Sequence, residues 1–488
     1  MLFNTIEFVV FFIVVLASIV VIKKRKFQHL LLLFSSYFFF YYSSNYLFFL
    51  LIFSTLLDFY AGQAIWNTKN ISHKKIILSI SLAGNLGLLG FFKYADFGIS
   101  QLNLLGNYFG YDEIEFLNIA LPIGISFYTF QTISYTVDIY RGQLEPSKSL
   151  REFALFVAFF PQLVAGPILR AKEFLPQLRE KFKNFNSGSK LRQIVISQHN
   201  IKLGTTIMAF GFLKKVFFAD NISPLVNNIL GNPVGYDSFS IMLGAIGYGI
   251  QIYCDFSGYS DIAIGAALIL GFSIPMNFNK TYFATSPSDF WRRWHISLSS
   301  WLRDYLYIPL GGNKKSKERV YVNLFIVMLL GGLWHGASIN FILWGGLHGI
   351  YLATHKFFRD RIQSQKFQFF QTRLGKIVAI LITQYFVFLA WIPFRIQDFD
   401  KMMYAMEKYV FLDFQIYQFL DTVSINLFPT ILIGLFMLLN FFSYKKTDLM
   451  SRISNLKSGY WIMILFIIMA SIFFFFDGNP EDFIYFRF

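Results

Sequence analysis

Residues 290–313 read FWRRWHISLSSWLRDYLYIPLGGN, and residues 331–338 read GGLWHGAS at the end of the next apolar run. The first stretch is basic, amphipathic and rich in tryptophan, which is typical of a segment at a bilayer surface. The second stretch closes a run that begins at Val320 and is long enough to span a membrane. Each contains one histidine, His295 or His335. An ionisable side chain at membrane depth is costly, so it is usually there for chemistry or transport.

Similar apolar runs recur along the whole chain, which has 488 residues, 55% of them hydrophobic and only 15% charged. A soluble protein of this length could not bury so much apolar surface. The sequence therefore predicts an all-α polytopic membrane protein with about 11–13 transmembrane or re-entrant helices. The good candidates are residues 8–22, 46–65, 76–92, 153–169, 201–219, 241–253, 262–272, 320–334, 339–353, 377–392, 427–442 and 460–476, with shorter or more polar runs at 30–42 and 117–137.

The net charge of +15 comes from Lys and Arg clustered between these runs, which is the positive-inside pattern rather than the footprint of a nucleic-acid partner. The pattern places the tail, residues 477–488, outside the cytoplasm. Residues 8–22 are predicted to be a retained anchor with its N-terminus outside, and residues 397–426 to lie at a membrane surface. The loops assigned to the cytoplasm are residues 23–26, 69–75, 170–183, 314–319, 356–373 and 445–457.

No linker or internal repeat divides the chain, so we predict a single membrane domain over residues 1–488. The single Cys254 excludes an internal disulfide and a cysteine metal cluster. No other spacing matches a metal pattern, and we predict no metal site. A Walker A loop, a G-x-S-x-G elbow and an H-E-x-x-H motif are absent from the sequence. Their absence argues against a nucleotide-driven pump and against a serine or zinc hydrolase.

His335 is the first candidate catalytic residue. It lies 16 positions after Arg319, which should mark the cytoplasmic boundary, and that spacing places it roughly 24 Å along a helix. One interpretation is a general base that removes a proton from a hydroxyl acceptor. The other is a histidine that is hydrogen-bonded between helices, where Gly331, Gly332 and Gly336 allow close approach. Burial cost alone does not choose between them.

His295 also has two interpretations. Its stretch could be a basic helix on the cytoplasmic leaflet, held by anionic lipid headgroups. Alternatively, its cations could hold the phosphates of a nucleotide-bearing donor such as an acyl-CoA. The cations in question are Arg292, Arg293, Arg303, Lys314, Lys315, Lys317 and Arg319.

Two carboxylates, Asp255 and Asp261, lie between apolar runs and must be paired or hydrated at that depth. We expect them to bridge to the arginines of the basic stretch, with a cation or proton pathway as the alternative. The tail FIYFRF at residues 483–488 could lie in the membrane interface. Alternatively, its Tyr485 could act as a nucleophile or docking element.

Taken together, these segments resemble bacterial membrane-bound O-acyltransferases, and most closely the membrane subunits of alginate and peptidoglycan O-acetyltransferases. The resemblance covers most of the chain. It rests on LPIGISFYTFQ at residues 121–131, VDIYRG at 137–142, QLVAGPI at 162–168, YCDFSGYSDIAIG at 253–265, WRRWH at 291–295, WLRDYLYIPLGGN at 301–313, LWHGAS at 333–338 and FIYF at 483–486.

This resemblance implies a ring of helices around a central tunnel in the bacterial cytoplasmic (inner) membrane. His335 matches the invariant histidine of the family, His295 matches the second histidine of this branch, and Tyr485 matches a tyrosine thought to carry the acyl group. The implied donor is cytoplasmic acetyl-CoA, with Arg292, Arg293, Arg303 and Lys314 as candidates for holding its phosphates.

The implied partner is an extracytoplasmic SGNH-type O-acetyltransferase that modifies an exported polysaccharide such as peptidoglycan or an alginate-like polymer. The surrounding membrane lipids are the other expected contacts. Two alternatives stay open at this point: a D-alanyl transfer protein of the same superfamily, and a lipid or saccharide transporter without catalytic activity.

Overall fold

The computed structural model describes the chain except residues 2, 23, 164–165, 184–195, 362–367, 414, 446–448, 477–482 and 485–488. The described residues form helices joined by turns, and none of them lies in a β-strand, so the all-α prediction is confirmed. The helices are α1 Ile6–Val21, α2 Arg25–Ser44, α3 Phe48–Asn67, α4 Ile71–Phe109, α5 Ile125–Tyr140, α6 Leu150–Ala158, α7 Phe160–Leu163, α8 Ala171–Lys183, α9 Gln198–Phe212, α10 Asp220–Gly231, α11 Ser238–Ile269, α12 Pro287–Trp291, α13 Ile296–Leu302, α14 Lys317–His335, α15 Ile339–Arg361, α16 Gln368–Gln371, α17 Arg373–Arg395, α18 Phe399–Val410, α19 Ile416–Ile425, α20 Leu427–Lys445, α21 Leu449–Ser454 and α22 Ser458–Phe474, with 3-10 turns at Asn45–Leu47, Thr281–Phe283 and Gly312–Lys314 and π-helical turns at Leu213–Ala219 and Arg303–Tyr307.

In the part of the chain that the structure describes, five helical stretches are long and apolar enough to cross a membrane, and α1 and α22 are shorter apolar helices. The apolar character extends to the outer surface: Phe466 and Phe473 on α22 are 70% and 78% exposed. Such a surface suits contact with lipid, because exposing so much apolar area to water would be unfavourable. The chain is therefore a multi-pass membrane protein. The five stretches are Lys26–Asn67, Ile71–Phe109, Ser238–Ile269, Arg373–Arg395 and Leu427–Tyr444.

The predicted 11–13 transmembrane or re-entrant helices also include shorter or more polar helices, which these five stretches leave out. The run at residues 153–169 ends its first helix at Ala158 and continues as the four-residue α7. α14 has 19 residues, but its first turn is charged. The ring of helices around a tunnel stays a prediction.

One expectation about the helices was wrong. The runs at residues 241–253 and 262–272 were predicted as two elements separated by a polar break, but Ser238–Ile269 is one helix of 32 residues. The polar residues between the runs remain helical because the carboxylates of Asp255 and Asp261 are neutralised by lysines, as described below.

The chain packs as two compact units: Met1–Met208 with Ile262–Pro275, and Ala209–Asp261 with Met276–Phe488. The single domain over residues 1–488 stays a prediction, and each unit is described by itself. We call them the first unit and the second unit.

In the first unit, a buried polar network joins α3, α4 and α5. Asp58 accepts hydrogen bonds from the Ser81 hydroxyl at 2.5 Å and from the Asn85 amide at 2.8 Å. Ser54 donates to Asn85 at 2.6 Å and lies 3.3 Å from the Thr132 hydroxyl. Interhelical hydrogen bonds of this kind hold helices together where no water competes for them.

In the second unit, α14 and α15 form a tight helical hairpin. A Cβ atom on Gly345 would lie 2.4 Å from the Met328 carbonyl oxygen, and one on Gly332 would lie 2.2 Å from that of Phe341. Only glycine permits this approach, so the close-packing interpretation of the glycines near His335 holds for Gly332. The hairpin brings the C-terminal turn of α14 against the first half of α15.

A core of large aromatic side chains fills the second unit around this hairpin. Trp294, Trp344 and Trp391 are all buried. The Trp294 and Trp391 rings lie 5.0 Å apart, and the Trp344 and Trp391 rings lie 6.1 Å apart. Ring pairs at these spacings add to the stability that burial already provides.

Candidate active site

His335 is the last residue of α14, and its side chain is buried. Its imidazole packs against the rings of Trp344 at 4.8 Å, Trp334 at 5.0 Å and Phe394 at 5.2 Å. The predicted position at the end of a membrane-length helix is therefore observed. A histidine in such surroundings is held in a fixed orientation and shielded from bulk solvent.

His295 lies in the turn before α13, in the left-handed backbone conformation with φ 43°. A non-glycine residue in this region is uncommon, and such residues concentrate at functional sites. The turn is held by main-chain bonds, because Ile296 N–H donates to the Asn277 carbonyl at 2.9 Å and Asn279 N–H donates to that of Arg293 at 2.9 Å. The side chain of His295 is fully buried.

The hydrogen bonds around Asn277 decide which nitrogen of His295 carries the proton. The Ser297 main-chain N–H, which can only donate, lies 3.2 Å from Asn277 Oδ1, so this atom is an acceptor. His295 Nδ1 lies 3.1 Å from the same oxygen and must donate to it. In the neutral ring the lone pair is then on Nε2. Burial lowers the pKa of His295, which lies outside the five candidate spans, to about 3, so the ring is neutral near pH 7.

The two predicted histidines lie in one aromatic cluster. The Trp334 ring is 6.1 Å from the His295 ring and 5.0 Å from the His335 ring, so a single indole separates the two imidazoles. The histidines are 40 residues apart in the sequence, and the contact of α13 with α14 joins them. At this contact Leu302 lies 3.4 Å from where a Cβ on Gly331 would be.

A third histidine, His348 on α15, belongs to the same cluster, and sequence reasoning missed it. Its ring lies 4.8 Å from the Trp344 ring, which also contacts His335. Trp291 Nε1–H donates to His348 Nδ1 at 3.3 Å, so in the neutral ring Nε2 carries the proton. The rule that singled out His335, an ionisable side chain within an apolar run, applies equally to His348 and would have found it.

The carboxylates of α11 are paired with lysines, and the predicted bridges to the arginines of the basic stretch are wrong. Asp261 lies 2.6 Å from Lys214 Nζ, and Asp255 lies 2.8 Å from Lys215 Nζ. Lys215 also lies 2.8 Å from Asp220. These lysines occupy the π-helical turn Leu213–Ala219, so two successive side chains serve two different positions on α11.

Two residues of the C-terminal motif are described, and both are buried against α11. Phe483 stacks on Tyr259 at 4.3 Å, and the Ile484 N–H donates to Asp255 Oδ2 at 2.8 Å. The predicted acyl carrier Tyr485 lies outside the described residues, as does Arg487.

The residues predicted to hold donor phosphates are exposed or already paired with carboxylates. Arg293 pairs with Asp289 at 2.8 Å, and Arg303 pairs with Asp304 at 2.7 Å. Arg292 and Lys314 are exposed.

The same four residues do not form one cluster. Arg303 follows Leu302, which packs at Gly331, whereas Lys314 directly precedes the first turn of α14. The positions along α14 beside Arg303 and beside Lys314 are therefore about 20 Å apart.

A cavity of about 280 Å³ lies beside the start of α14. Three lysines line it: Lys315, Lys317 and Lys356. Asp360 also lines it and pairs with Lys356 at 2.9 Å. Three ammonium groups against one carboxylate leave an excess of positive charge, which favours an anionic ligand. Among the described residues no group of three or more His, Cys, Asp or Glu side chains is placed to hold a metal ion.

The long apolar helices and the buried histidines define a multi-pass membrane protein that carries ionisable side chains among its helices. The model of the membrane-bound O-acyltransferase (MBOAT) family matches residues 143–397, just over half of the chain, and this region contains His295, His335 and His348. The chain belongs to the MBOAT family and is an acyltransferase.

Three relatives show which named activities occur among proteins similar to this chain. The probable alginate O-acetylase AlgI of Pseudomonas aeruginosa is 47% identical over 281 residues, 57% of this chain and 51% of that protein. The peptidoglycan O-acetyltransferase of Helicobacter pylori is 36% identical over 381 residues, 73% of this chain and 69% of that protein. The teichoic acid D-alanyltransferase of Bacillus subtilis is 30% identical over 280 residues, 55% of this chain and 67% of that protein. The matched regions thus span half to two thirds of these relatives.

Proposed function

We propose that the protein is an O-acetyltransferase that takes acetyl from cytoplasmic acetyl-CoA and passes it across the bacterial cytoplasmic membrane. The recipient is an extracytoplasmic SGNH-type transferase that acetylates an exported polysaccharide. The observation that carries this proposal is the aromatic cluster in which Trp334 separates His295 from His335. The names of the alginate O-acetylase and peptidoglycan O-acetyltransferase relatives support acetyl as the transferred group and a polysaccharide as the final acceptor.

The proposed chemistry is one acyl transfer at a time. His335 removes the proton from a hydroxyl, whose oxygen attacks the acetyl carbonyl and forms a new C–O bond. The thioester C–S bond breaks, and the proton held on the imidazole neutralises the departing CoA thiolate. The buried surroundings of His335 exclude water, which limits hydrolysis of the thioester.

His295 and His348 suit different parts of this reaction. The proton of His295 points to Asn277, so its Nε2 accepts a hydrogen bond and orients a hydroxyl rather than stabilising an oxyanion. His348 has the opposite tautomer, with Nδ1 accepting from Trp291, so its Nε2–H is a buried donor. A fixed N–H donor in a dry site is the kind of group that stabilises an oxyanion. We therefore assign that role to His348.

The donor phosphates are proposed to bind at the lysine-lined cavity beside the start of α14, next in sequence to Lys314. Arg292, Arg293 and Arg303 do not line this cavity. The charge pattern assigns this end of α14 to the cytoplasm. Lipid headgroups carry the same phosphate chemistry, so membrane lipids compete for these lysines. Tyr485 is proposed to receive the acetyl group from the donor, on the extracytoplasmic side of the membrane.

A CoA-release assay on the purified protein tests the proposal. The wild type should release CoA from acetyl-CoA, and His335→Ala should be slower by about 10²- to 10⁴-fold because it lacks the general base. The control is His73→Ala, since His73 is exposed on α4 in the first unit. Undiminished release by His335→Ala, with the variant folded, would discard this histidine as the base.

A second candidate is the transfer of D-alanyl groups from a carrier protein, which the teichoic acid D-alanyltransferase relative favours. Both donors present a thioester to the same site, so they can be compared directly. Loading of the protein by a D-alanyl carrier, with no loading by acetyl-CoA, would replace the acetyl proposal with this one. The transporter alternative is set aside, because the chain is a member of an acyltransferase family.

A further inference from the structure

A buried ion pair in the second unit has no role in the proposed chemistry. Lys215 is 1% exposed and lies 2.8 Å from both Asp220 and Asp255. Burying charges costs free energy, which a well-aligned pair only partly recovers, so such a group often serves something besides stability. The other contacts of Asp255 indicate what this ion pair holds in place.

The other carboxylate oxygen of Asp255 holds the C-terminal segment of the chain. Its Oδ2 accepts the Ile484 main-chain N–H at 2.8 Å, across 229 positions of sequence. Phe483 is fully buried, and its ring stacks on Tyr259, one helical turn along α11 from Asp255. A hydrogen bond to an ionised acceptor is stronger than one between neutral groups, and here it fixes the backbone rather than a particular side chain.

One aromatic ring connects this docked segment with the candidate active site. Phe256, the residue after Asp255, lies 5.8 Å from the Phe483 ring and 4.7 Å from the His295 ring. Rings at these separations are in contact. Phe483 and the imidazole of His295 therefore contact the same side chain.

We propose that Asp255, neutralised by Lys215, is a positioning residue that anchors the C-terminal segment beside His295. The anchor acts on the main chain at Ile484 rather than on a side chain. The consequence for acyl transfer rests on the proposed function, whereas the anchoring itself does not.

The chain supplies a matched control on the same two elements. Lys214 and Asp261 form a second lysine–carboxylate pair at 2.6 Å between the π-helical turn and α11. Asp261 pairs with Lys214 instead of holding the described tail residues Phe483 and Ile484, and its side chain is partly exposed. Changes at this pair therefore report the general effect of losing an ion pair on α11.

The test measures access to the tail with a cysteine reporter. Ile484→Cys is introduced with Cys254→Ala in the full-length protein, and modification by a maleimide polymer is followed in detergent. Asp255→Leu with Lys215→Met removes the acceptor together with its ion partner. It also removes the ion pair of Lys215 with Asp220, a loss that the Asp255→Asn with Lys215→Met comparison variant shares. The Asp255→Leu with Lys215→Met changes should speed modification by about tenfold or more, because the anchored state loses a charge-assisted hydrogen bond.

Two comparison variants make the result specific. Asp255→Asn with Lys215→Met keeps an acceptor oxygen for the Ile484 N–H and should keep the reporter protected. Asp261→Leu with Lys214→Met should also leave it protected. Equal modification rates in the Asp255→Leu variant and its parent, with both eluting as folded protein in gel filtration, would overturn the proposal. Loss of protection in the Asp261 variant as well would also overturn it, by showing a general loosening.

The same variants separate this proposal from the acetyltransferase function. Reporter access needs no donor, so it tests the anchor even if acetyl-CoA is not the substrate. If the function is as proposed, the Asp255→Leu with Lys215→Met variant should deliver less acetyl to an acceptor than the Asp255→Asn with Lys215→Met variant. A released tail with fully retained delivery would leave Asp255 an anchor without a positioning role in transfer, contrary to the proposal.

Discussion

At the residue scale, Asn277 determines what His295 can do. A single amide oxygen receives the Ser297 main-chain N–H, the Ser297 hydroxyl and the His295 ring, at 3.2, 2.9 and 3.1 Å. These donors fix the orientation of the amide, and the amide in turn fixes the tautomer of the imidazole. The chemistry of a buried histidine thus depends on a residue 18 positions earlier in the chain.

The buried neutral state of His295 predicts a pH dependence of stability. Its pKa is lowered from the ordinary 6.5 to about 3, so below pH 6.5 the unfolded chain binds a proton that the folded chain does not. Stability should therefore fall as the pH decreases from 6.5 toward 3, by about 1 kcal/mol per pH unit from this group.

Thermal unfolding in detergent at several pH values checks this. His295→Asn, which tolerates the left-handed backbone and does not titrate, should show a shallower loss than the wild type. Identical slopes for the two proteins would contradict a neutral buried imidazole.

The role assigned to His348 predicts a kinetic effect without collapse of the site. His348→Phe keeps an aromatic ring edge-on to Trp344 but removes the Nε2–H donor. We expect the rate constant of acetyl transfer to fall by about 10²- to 10³-fold with little change in the KM for the donor, because an oxyanion donor acts in the transition state. Single-turnover kinetics measure this. A rise in KM with an unchanged rate constant would instead place His348 in donor binding.

At the element scale, the α14–α15 hairpin holds His335 and His348 together, and its glycines set the spacing. Gly345→Ala would place a Cβ 2.4 Å from the Met328 carbonyl oxygen, a backbone atom that cannot move aside. We expect a loss of about 1–3 kcal/mol in stability together with most of the activity.

The control for this change is Gly434→Ala on α20, where nothing lies within 4 Å of the added atom. Alanine favours a helix over glycine, so this variant should be as stable as the wild type or slightly more stable. Thermal unfolding with an activity measurement compares the two. Equal behaviour of the two variants would show that the hairpin tolerates a wider spacing.

The polar network of α3, α4 and α5 makes a prediction for the first unit. Asp58→Leu leaves the Ser81 hydroxyl and the Asn85 amide without their acceptor, and should cost about 1–3 kcal/mol. Asp58→Asn keeps one acceptor oxygen and should cost less. Unfolding in detergent ranks the variants, and a Leu variant as stable as the Asn variant would show that the network adds nothing to the packing.

At the scale of the whole molecule, apolar runs and basic loops were enough to predict a helical membrane protein, because bilayer physics acts on each segment separately. The same reasoning misjudged α11, since whether Asp255 breaks a helix depends on a lysine from another element.

The site shows the same division between local and long-range information. His335 could be singled out from its own neighbourhood, as an ionisable group in an apolar run. His335 approaches His295 through Trp334, and the contact of Trp334 with His295 spans 39 positions of sequence. The docking of Ile484 on Asp255 spans 229 positions. Tertiary packing determines such contacts, and no periodicity in the sequence encodes them.

The most direct test of the central claim is the transfer of radiolabelled acetyl from acetyl-CoA to the purified protein, beside His335→Ala and Tyr485→Phe. The account predicts a labelled wild type and no label on either variant. Label that is lost only in His335→Ala would keep the histidine and remove Tyr485 as the carrier. A folded wild type that neither takes up label nor releases CoA would contradict the account.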